Sequence, residues 1–331
     1  MPTALCLYSG GLDSRLVIKI MRDCGWEVAA FHAQHAFIGK EKPAAARARV
    51  ERECRELGAR AVYFSDTTPR LVELLRHNRY GFGKNLNPCI DCRLATITAA
   101  AAFMAEAGAE LLATGEVLGQ RPKSQQRNGL NAVSNSLPPE LRGRLLRPLS
   151  AKLLPPTLAE QEGKIDREKL YDFSGRGRQP QMALAEKFGI TDYPNPAGGC
   201  LLTDAGFCGR MRALLEKQPE VSAEDIELRK VGRQAYTASG TLMVISRDSA
   251  EGDRLEQLMR PGDITYITVP HNGALVLLRG NNITKDDERL AASAAAHYSK
   301  YRGATRAEFC RVKDGAGEMR ELAVDAYTAI G

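Results

Sequence analysis

A chain of 331 residues with 44% hydrophobic content can bury a sizeable core and is long enough for two domains. No run approaches eighteen consecutive apolar residues, which excludes a membrane-spanning helix, and the eight cysteines lack the spacing of a small secreted disulfide framework. The net charge of +6 falls wholly on residues 1–204, while acidic and basic residues balance from Ala205 onward, so a polyanionic partner is expected for the first part. The N-terminus runs directly into a strand without a leader, and the expected location is cytoplasmic, with no membrane contact.

In chain order, Leu5-Cys6-Leu7-Tyr8 reads as a buried strand, Ser9-Gly10-Gly11-Leu12-Asp13-Ser14 as a glycine turn and residues 16–21 as a helix. That context aims free helix N–H groups at an anion. The turn lacks the Lys of G-x-x-x-x-G-K-[ST] and does not fit G-x-G-x-x-G. Residues 26–33 form a second strand. Its carboxyl end, Phe31-His32-Ala33-Gln34, falls beside the first strand's end, where parallel sheets bind ligands, so its backbone is expected to meet an adenine. His32 and His35 read as rim residues. Residues 43–57 and 69–77 read as helices, residues 61–65 as a strand, and residues 80–87 as a loop leading into Cys89-Ile90-Asp91-Cys92. Residues 93–106 are helical, and residues 110–114 form a fourth strand. Thr114-Gly115-Glu116-Val117-Leu118-Gly119-Gln120 ends that strand and points at the same crevice. Residues 128–148 read as loop, and residues 164–172 and 181–188 as helices. Tyr193-Pro194-Asn195-Pro196-Ala197-Gly198-Gly199-Cys200 reads as a constrained turn that presents a cysteine. Residues 241–246, 264–269 and 274–279 then read as short strands and residues 288–301 as a helix. The expected fold is α/β, a doubly wound parallel sheet over residues 1–204 with a smaller C-terminal α+β domain over residues 205–331.

Two constellations carry chemistry. Residues 117–152 hold Arg121, Lys123, Arg127, Arg142, Arg144, Arg147 and Lys152 against Glu140, a basic stretch suited to RNA. Cys89 and Cys92 fall at a helix N-terminus, where the dipole favours thiolate, and Cys200 is presented far along the chain. Three thiolates can hold three irons of a [4Fe-4S] cluster and leave one iron open. Two other arrangements compete. In one the C-x-x-C is a redox dithiol, with Cys200 either unrelated or a persulfide carrier, and in the other Cys208 completes a four-thiolate zinc site. Cys6, Cys24 and Cys54 read as small buried hydrophobes.

Ser9-Gly10-Gly11-Leu12-Asp13-Ser14 resembles the PP-loop of the ATP pyrophosphatases. Thr114-Gly115-Glu116-Val117-Leu118-Gly119-Gln120 is similar to T-G-E-x-L-G-Q of the 4-thiouridine synthetases, with Ser124-Gln125 echoing their downstream Ser-Gln one residue further on. The C-x-x-C with a distant Cys resembles the cluster-dependent thiouridine synthetases. The resemblance covers roughly the first 205 residues, and the tail loosely resembles the RNA-binding module of NFACT proteins. It implies an adenine nucleotide alpha hydrolase-like PP-loop fold that binds ATP and Mg²⁺. Ser9, Gly10, Gly11, Leu12, Asp13 and Ser14 would take the phosphates, and Phe31, His32, Thr114, Gly115 and Gln120 would complete the nucleotide site. It further implies Asp13, Cys89, Cys92 and Cys200 as catalytic residues, with the three cysteines as cluster ligands. The implied reaction adenylates a nucleobase carbonyl of tRNA and replaces AMP with sulfur from a sulfide or persulfide donor. Other expectations are thiolation by a Cys200 persulfide, a PP-loop ligase using ammonia, and a non-catalytic RNA-binding cluster carrier.

Overall fold

Strand β1 (Thr3–Leu7) is buried along its whole length, and its alternation serves two cores. Ala4 and Cys6 join one apolar cluster, while Leu5 and Leu7 join the other. A strand buried on both faces belongs at the centre of a parallel sheet. The computed structural model describes residues 1–38, 43–195, 200–269 and 273–328. The chain divides into two units, Met1–Cys208 and Gly209–Gly331.

In the first unit, α1 (Leu12–Asp23) follows β1, and β2 (Glu27–Gln34), α2 (Pro43–Leu57), β3 (Ala61–Asp66) and α3 (Thr68–Arg76) come next. They are followed by α4 (Cys89–Ala101), β4 (Ala109–Ala113), α5 (Arg127–Ser136), β5 (Leu145–Leu146), α6 (Leu158–Gln161) and α7 (Gln179–Lys187). The strands pair in parallel in the order β3-β2-β1-β4-β5. Leu7 lies opposite Phe31 and Cys6 opposite Ala113. The glycine turn, the end of β2 and the segment after β4 therefore emerge at one edge. Leu16, Val17, Ile20 and Met21 of α1 pack with Val50, Cys54 and Ala185 on one face of the sheet. Phe31, Ile97, Ala100 and Val133 pack on the other.

Two local expectations are corrected. Residues 128–148 are not all loop, because α5 occupies Arg127–Ser136. Its Asn and Ser residues hide an apolar stripe of Leu130, Val133 and Leu137, all buried. Gly129 sits within it because a Cβ there would overlap the Lys123 carbonyl oxygen. Residues 164–172 hold only a single 3₁₀ turn at Arg167–Lys169. Asp166 caps that turn by accepting from Glu168 N, and Leu170 is already extended, so a helix does not propagate.

The second unit receives the end of α8 (Ala205–Lys217), then α9 (Ala223–Arg229), β6 (Arg233–Tyr236), β7 (Leu242–Ile245) and α10 (Ser249–Gln257). β8 (Ile264–Thr268), β9 (Val276–Arg279), α11 (Lys285–His297), β10 (Arg306–Lys313) and β11 (Ala316–Ala323) complete it. Its antiparallel sheet runs β11-β10-β8-β9-β7-β6. The alanine-rich face of α11 packs on Met243, Tyr266, Leu278 and Phe309. The β10–β11 hairpin turns at Asp314-Gly315, both at positive φ, as a two-residue hairpin loop requires. Among the described residues, no helix is long and apolar enough to cross a membrane.

Candidate active site

The glycine turn is held by its own hydroxyls. Ser14 Oγ donates to the Gly11 carbonyl at 2.8 Å and accepts from Ser9 N at 3.2 Å, with Ser9 Oγ 3.3 Å away. Gly10 has φ +82°, the left-handed region that favours glycine. Gly11 is the N-cap of α1 and offers no side-chain cap. First-turn N–H groups of α1 are thus left for another acceptor. Leu12, by contrast, is buried in the core below the turn.

A second layer supports the turn. Arg15 Nε donates to the Gly10 carbonyl at 3.2 Å, and Arg15 Nη2 lies 3.0 Å from Glu53 Oε2. Glu53 also accepts from the Tyr8 hydroxyl at 2.6 Å and from Arg49 Nη1 at 3.2 Å. Burial alone would raise the Glu53 carboxyl. The Tyr8 hydroxyl and the two guanidiniums outweigh it and hold the group below the usual carboxylate range. Burial and Glu53 push the Tyr8 hydroxyl up, so it remains a donor. One carboxylate thus anchors two arginines, and Arg49 Nη1 lies 3.6 Å from where a Cβ on Gly10 would stand.

The segment after β4 closes on the turn. A Cβ on Gly115 would lie 2.8 Å from the Asp13 carbonyl carbon and 2.9 Å from Ser14 N, so only glycine lets the two backbones meet. Gln120 Nε2 donates to Asp13 Oδ2 at 3.1 Å, while Asp13 Oδ1 is buried without a hydrogen-bond partner. Burial pushes the Asp13 carboxyl up, against the opposing pull of Gln120, Arg178 and Arg121.

Close by is Glu116, quoted in the motif over residues 114–120 but given no role by sequence reasoning. It is fully buried and accepts from Thr114 Oγ1 at 3.1 Å and Arg147 Nε at 2.9 Å, with Arg93 Nε 3.2 Å from its other oxygen. Burial works against ionisation, but Arg147 and Arg93 hold the Glu116 carboxyl below its ordinary range. Its signal in the sequence is its place as the Glu of that motif, just past the end of β4. Arg147, only 6% exposed, is thereby withdrawn from the basic face expected over residues 117–152.

Phe31 is a core residue against Phe103, and its carbonyl accepts from Tyr8 N at 2.8 Å. That oxygen is committed to the sheet rather than open to a ligand. His32 is buried rather than at the rim, with Nδ1 2.8 Å from the Tyr8 carbonyl oxygen.

The cysteines converge through tethers that no local pattern reveals. Cys89 and Cys92 occupy the first turn of α4. Cys200 bridges to Ile38, and the short turn after it is fixed by Leu201 N to the Phe37 carbonyl, Leu86 N to the Leu202 carbonyl and Asn85 Nδ2 to the Thr203 carbonyl. Asn85 and Leu86 lie just ahead of Cys89, so these bonds bring residue 200 to the C-x-x-C. Residues 196–199, the expected constraining loop, lie outside the described residues.

Contrary to the expectation from the helix dipole, burial pushes all three thiols up. Cys92 reaches about 11, raised further by Cys200 and Cys89 and opposed by Arg93. Arg121 favours the ionised form of both Cys89 and Cys200. Lys123, at φ +100°, donates to the Gly81 and Phe82 carbonyls at 2.7 and 2.8 Å. It thereby pins a loop whose Gly83 lies against Cys89 Sγ. Cys208 is fully buried and donates to the Leu202 carbonyl at 3.2 Å. Among the described residues, no group of three or more His, Cys, Asp or Glu side chains is arranged to hold a metal ion.

Residues 232–329 match the family model described as NFACT protein RNA binding domain. Among solved structures, the chain is similar to a 4-thiouridine synthetase–RNA complex with bound ATP (19% identity, TM-score 0.36, 58% of this chain and 54% of that chain). It is also similar to the U34-tRNA thiolase NcsA from Methanococcus maripaludis with its [4Fe-4S] cluster (15%, TM-score 0.32, 66% of each chain). A third is the C-terminal part of the fibronectin/fibrinogen-binding protein from Streptococcus suis (12%, TM-score 0.26, 51% of this chain and 80% of that chain). The chain spans about half the length of the 4-thiouridine synthetase. No curated protein matches it in sequence.

Proposed function

We propose that this chain is an ATP-dependent tRNA sulfurtransferase of the PP-loop type, with residues 1–204 carrying the chemistry and residues 205–331 handling RNA. One observation carries it. The same guanidinium, Arg121, favours the ionised forms of Asp13, Cys89 and Cys200. The glycine turn and two of the three thiols thus share one positive charge, while the third, Cys92, faces Arg93. Binding RNA alone would require neither the turn nor the thiols.

ATP is a substrate here. Ser9, Gly10, Gly11 and Ser14 cradle its phosphates, backed by α1 and by Arg49 held on Glu53. Thr114, Gly115 and Gln120 fix the turn against the next strand. A uridine carbonyl oxygen attacks the α-phosphorus, and pyrophosphate leaves into the cradle. A sulfur nucleophile then attacks the activated carbon, the C–O bond breaks and AMP departs. Asp13, with one buried oxygen lacking a partner, fits Mg²⁺, which offsets phosphate charge when bound. Cys89, Cys92 and Cys200 are the thiols that would hold a [4Fe-4S] cluster, a reading supported by their electrostatic coupling to one another and by Arg93, Arg121 and Lys123 beside them, although their side chains are not arranged as a metal site in this structure. When bound, the cluster would offer an open iron for sulfide. Arg121 and Lys123 lower the cost of the thiolates such a group requires. A second reading, a Cys200 persulfide carrier, is supported by the electrostatic coupling of Cys200 to Cys89 and Cys92.

Anaerobic incubation with ATP, Mg²⁺, tRNA and sulfide tests the first half. AMP and pyrophosphate should form in equal amounts only when tRNA is present. ADP as the product would reject the assignment.

A further inference from the structure

A cavity of about 390 Å³ lies wholly within Gly209–Gly331. Its charged walls are Lys217, Arg229, Arg260 and Arg279 against Asp225 and Asp263. Two of the four cations are neutralised. Arg260 Nη1 donates to Asp225 Oδ1 at 2.7 Å, and Arg279 Nη2 donates to Asp263 Oδ2 at 2.6 Å.

The other two form no ion pair among the described residues, although the Asp225 carboxylate, held by Arg260, also favours the charged form of Arg229. Arg229 is only 3% exposed, yet its partners are neutral: Gln234 Oε1 and the Tyr236 hydroxyl, each at 3.0 Å. Its Nε has no hydrogen-bond partner, and neither has Arg279 Nη1. Lys217 is exposed, lies 4.5 Å from the centre of the Tyr236 ring and forms no ion pair among the described residues. Arg229 flanks the same ring at 5.7 Å. A buried guanidinium with no carboxylate hydrogen-bonded to it is costly, and burial pulls its basicity down against the opposing pull of Tyr236 and the Asp225 carboxylate. A bound anion would offset that cost.

The wall also suits an anion of some size. Gly240 and Gly262, both at φ +87°, line the cavity with nothing within 4 Å of where a side chain would begin. Their backbone is open to close approach. Four cations against two carboxylates, with Lys217 and Arg229 on one tyrosine and in no ion pair among the described residues, in a space of this volume match the charge and size of a nucleotide better than those of a small carboxylate.

We propose that this cavity is a binding site for the phosphoryl group of a nucleotide, seated between Lys217 and Arg229 against Tyr236. The phosphate could come from a free nucleotide or from an RNA backbone, and the two sources are separable.

The test uses the full chain and a readout local to the pocket, so that phosphate binding elsewhere does not interfere. Lys217 is acetylated with a water-soluble ester, and its modification rate is followed by peptide mass spectrometry. The probes are AMP, inorganic phosphate, a short uridine oligonucleotide and adenosine. Protection by AMP and phosphate supports a free-nucleotide site. Protection by the oligonucleotide alone supports an RNA backbone site. Arg229→Gln should raise the protecting concentration roughly tenfold, the loss expected for one charge-assisted contact. Adenosine protecting as well as AMP, or no probe slowing the reaction, would overturn the site. If Arg229→Gln does not fold, the comparison of AMP with adenosine on the native chain still decides.

Discussion

Gln120 and Asp13 stand 107 residues apart in sequence and are joined by a 3.1 Å hydrogen bond across the carboxyl edge of the parallel sheet. The bond spends one Asp13 oxygen and leaves the other buried and unpartnered. Asp13→Ala is therefore expected to abolish tRNA-dependent AMP formation while changing stability by no more than about 1 kcal/mol. Product assay and thermal melting check the two halves. Because burial raises the Asp13 carboxyl, it protonates at a higher pH than a free aspartate as acid is added. The acid limb of the pH–rate profile should accordingly set in above the usual Asp range. A limb at or below that range would remove Asp13 as the ionised group the reaction needs.

Gly115→Ala should be more damaging than its size suggests. A Cβ there meets backbone of Asp13 and Ser14 rather than a movable side-chain tip. Overpacking of this kind costs about 1–3 kcal/mol, and the displaced turn should lose ATP affinity as well. Calorimetric titration with ATP on the folded variant gives the answer.

Glu116→Gln should cost about 3 kcal/mol, since it leaves Arg147 buried without its counterion. The Glu116 carboxyl is held below its ordinary range in the folded chain. Its contribution is fully present above the unfolded value and is lost as pH falls through the folded one. Acid unfolding of the native chain should therefore show a component that Glu116→Gln lacks, measured by denaturant melts across the acid range.

Arg49→Gln tests the cradle from its side. The Arg49–Glu53 pair is partly exposed, so stability should change little. Affinity for ATP and pyrophosphate should fall roughly tenfold, and affinity for adenosine should not change. Equal loss for adenosine would place Arg49 away from the phosphates.

The thiols separate into two groups. Cys89→Ala, Cys92→Ala and Cys200→Ala should each end thiolation. Cys208→Ala should not, because that thiol is buried against the Leu202 carbonyl. In protein free of iron, Cys92 at about 11 stays a thiol at neutral pH. Its alkylation should be slow at pH 7 and accelerate only in strongly alkaline buffer. Fast labelling at neutral pH would contradict the burial that sets it.

What was legible in the sequence was what is local. Ser9-Gly10-Gly11 between an apolar run and an amphipathic stretch announces strand, turn and helix, and the folded turn has Gly10 at positive φ as that pattern demands. The hairpin at Asp314-Gly315 went unread, although its two turn residues carry a local signal of the same kind. Helix α5 was obscured because Leu130, Val133 and Leu137 are set among Asn, Ser and Gly, residues that favour turns when nothing buries their neighbours. The Glu116–Arg147 pair and the tethers from residues 201–203 to Phe37, Asn85 and Leu86 were out of reach, since they depend on which strand edges meet. Cys200 could be proposed as a partner of the C-x-x-C, but the bonds that carry it there appear only in the fold.

The most direct test of the proposed function is mass spectrometry of nucleosides from tRNA incubated anaerobically with the iron-loaded chain, ATP, Mg²⁺ and sulfide. A thiouridine whose amount matches the AMP formed, and which is absent without ATP or with Cys200→Ala, is the expected result. AMP formation with no sulfur in the tRNA, or thiouridine made equally well by Cys200→Ala, would contradict it.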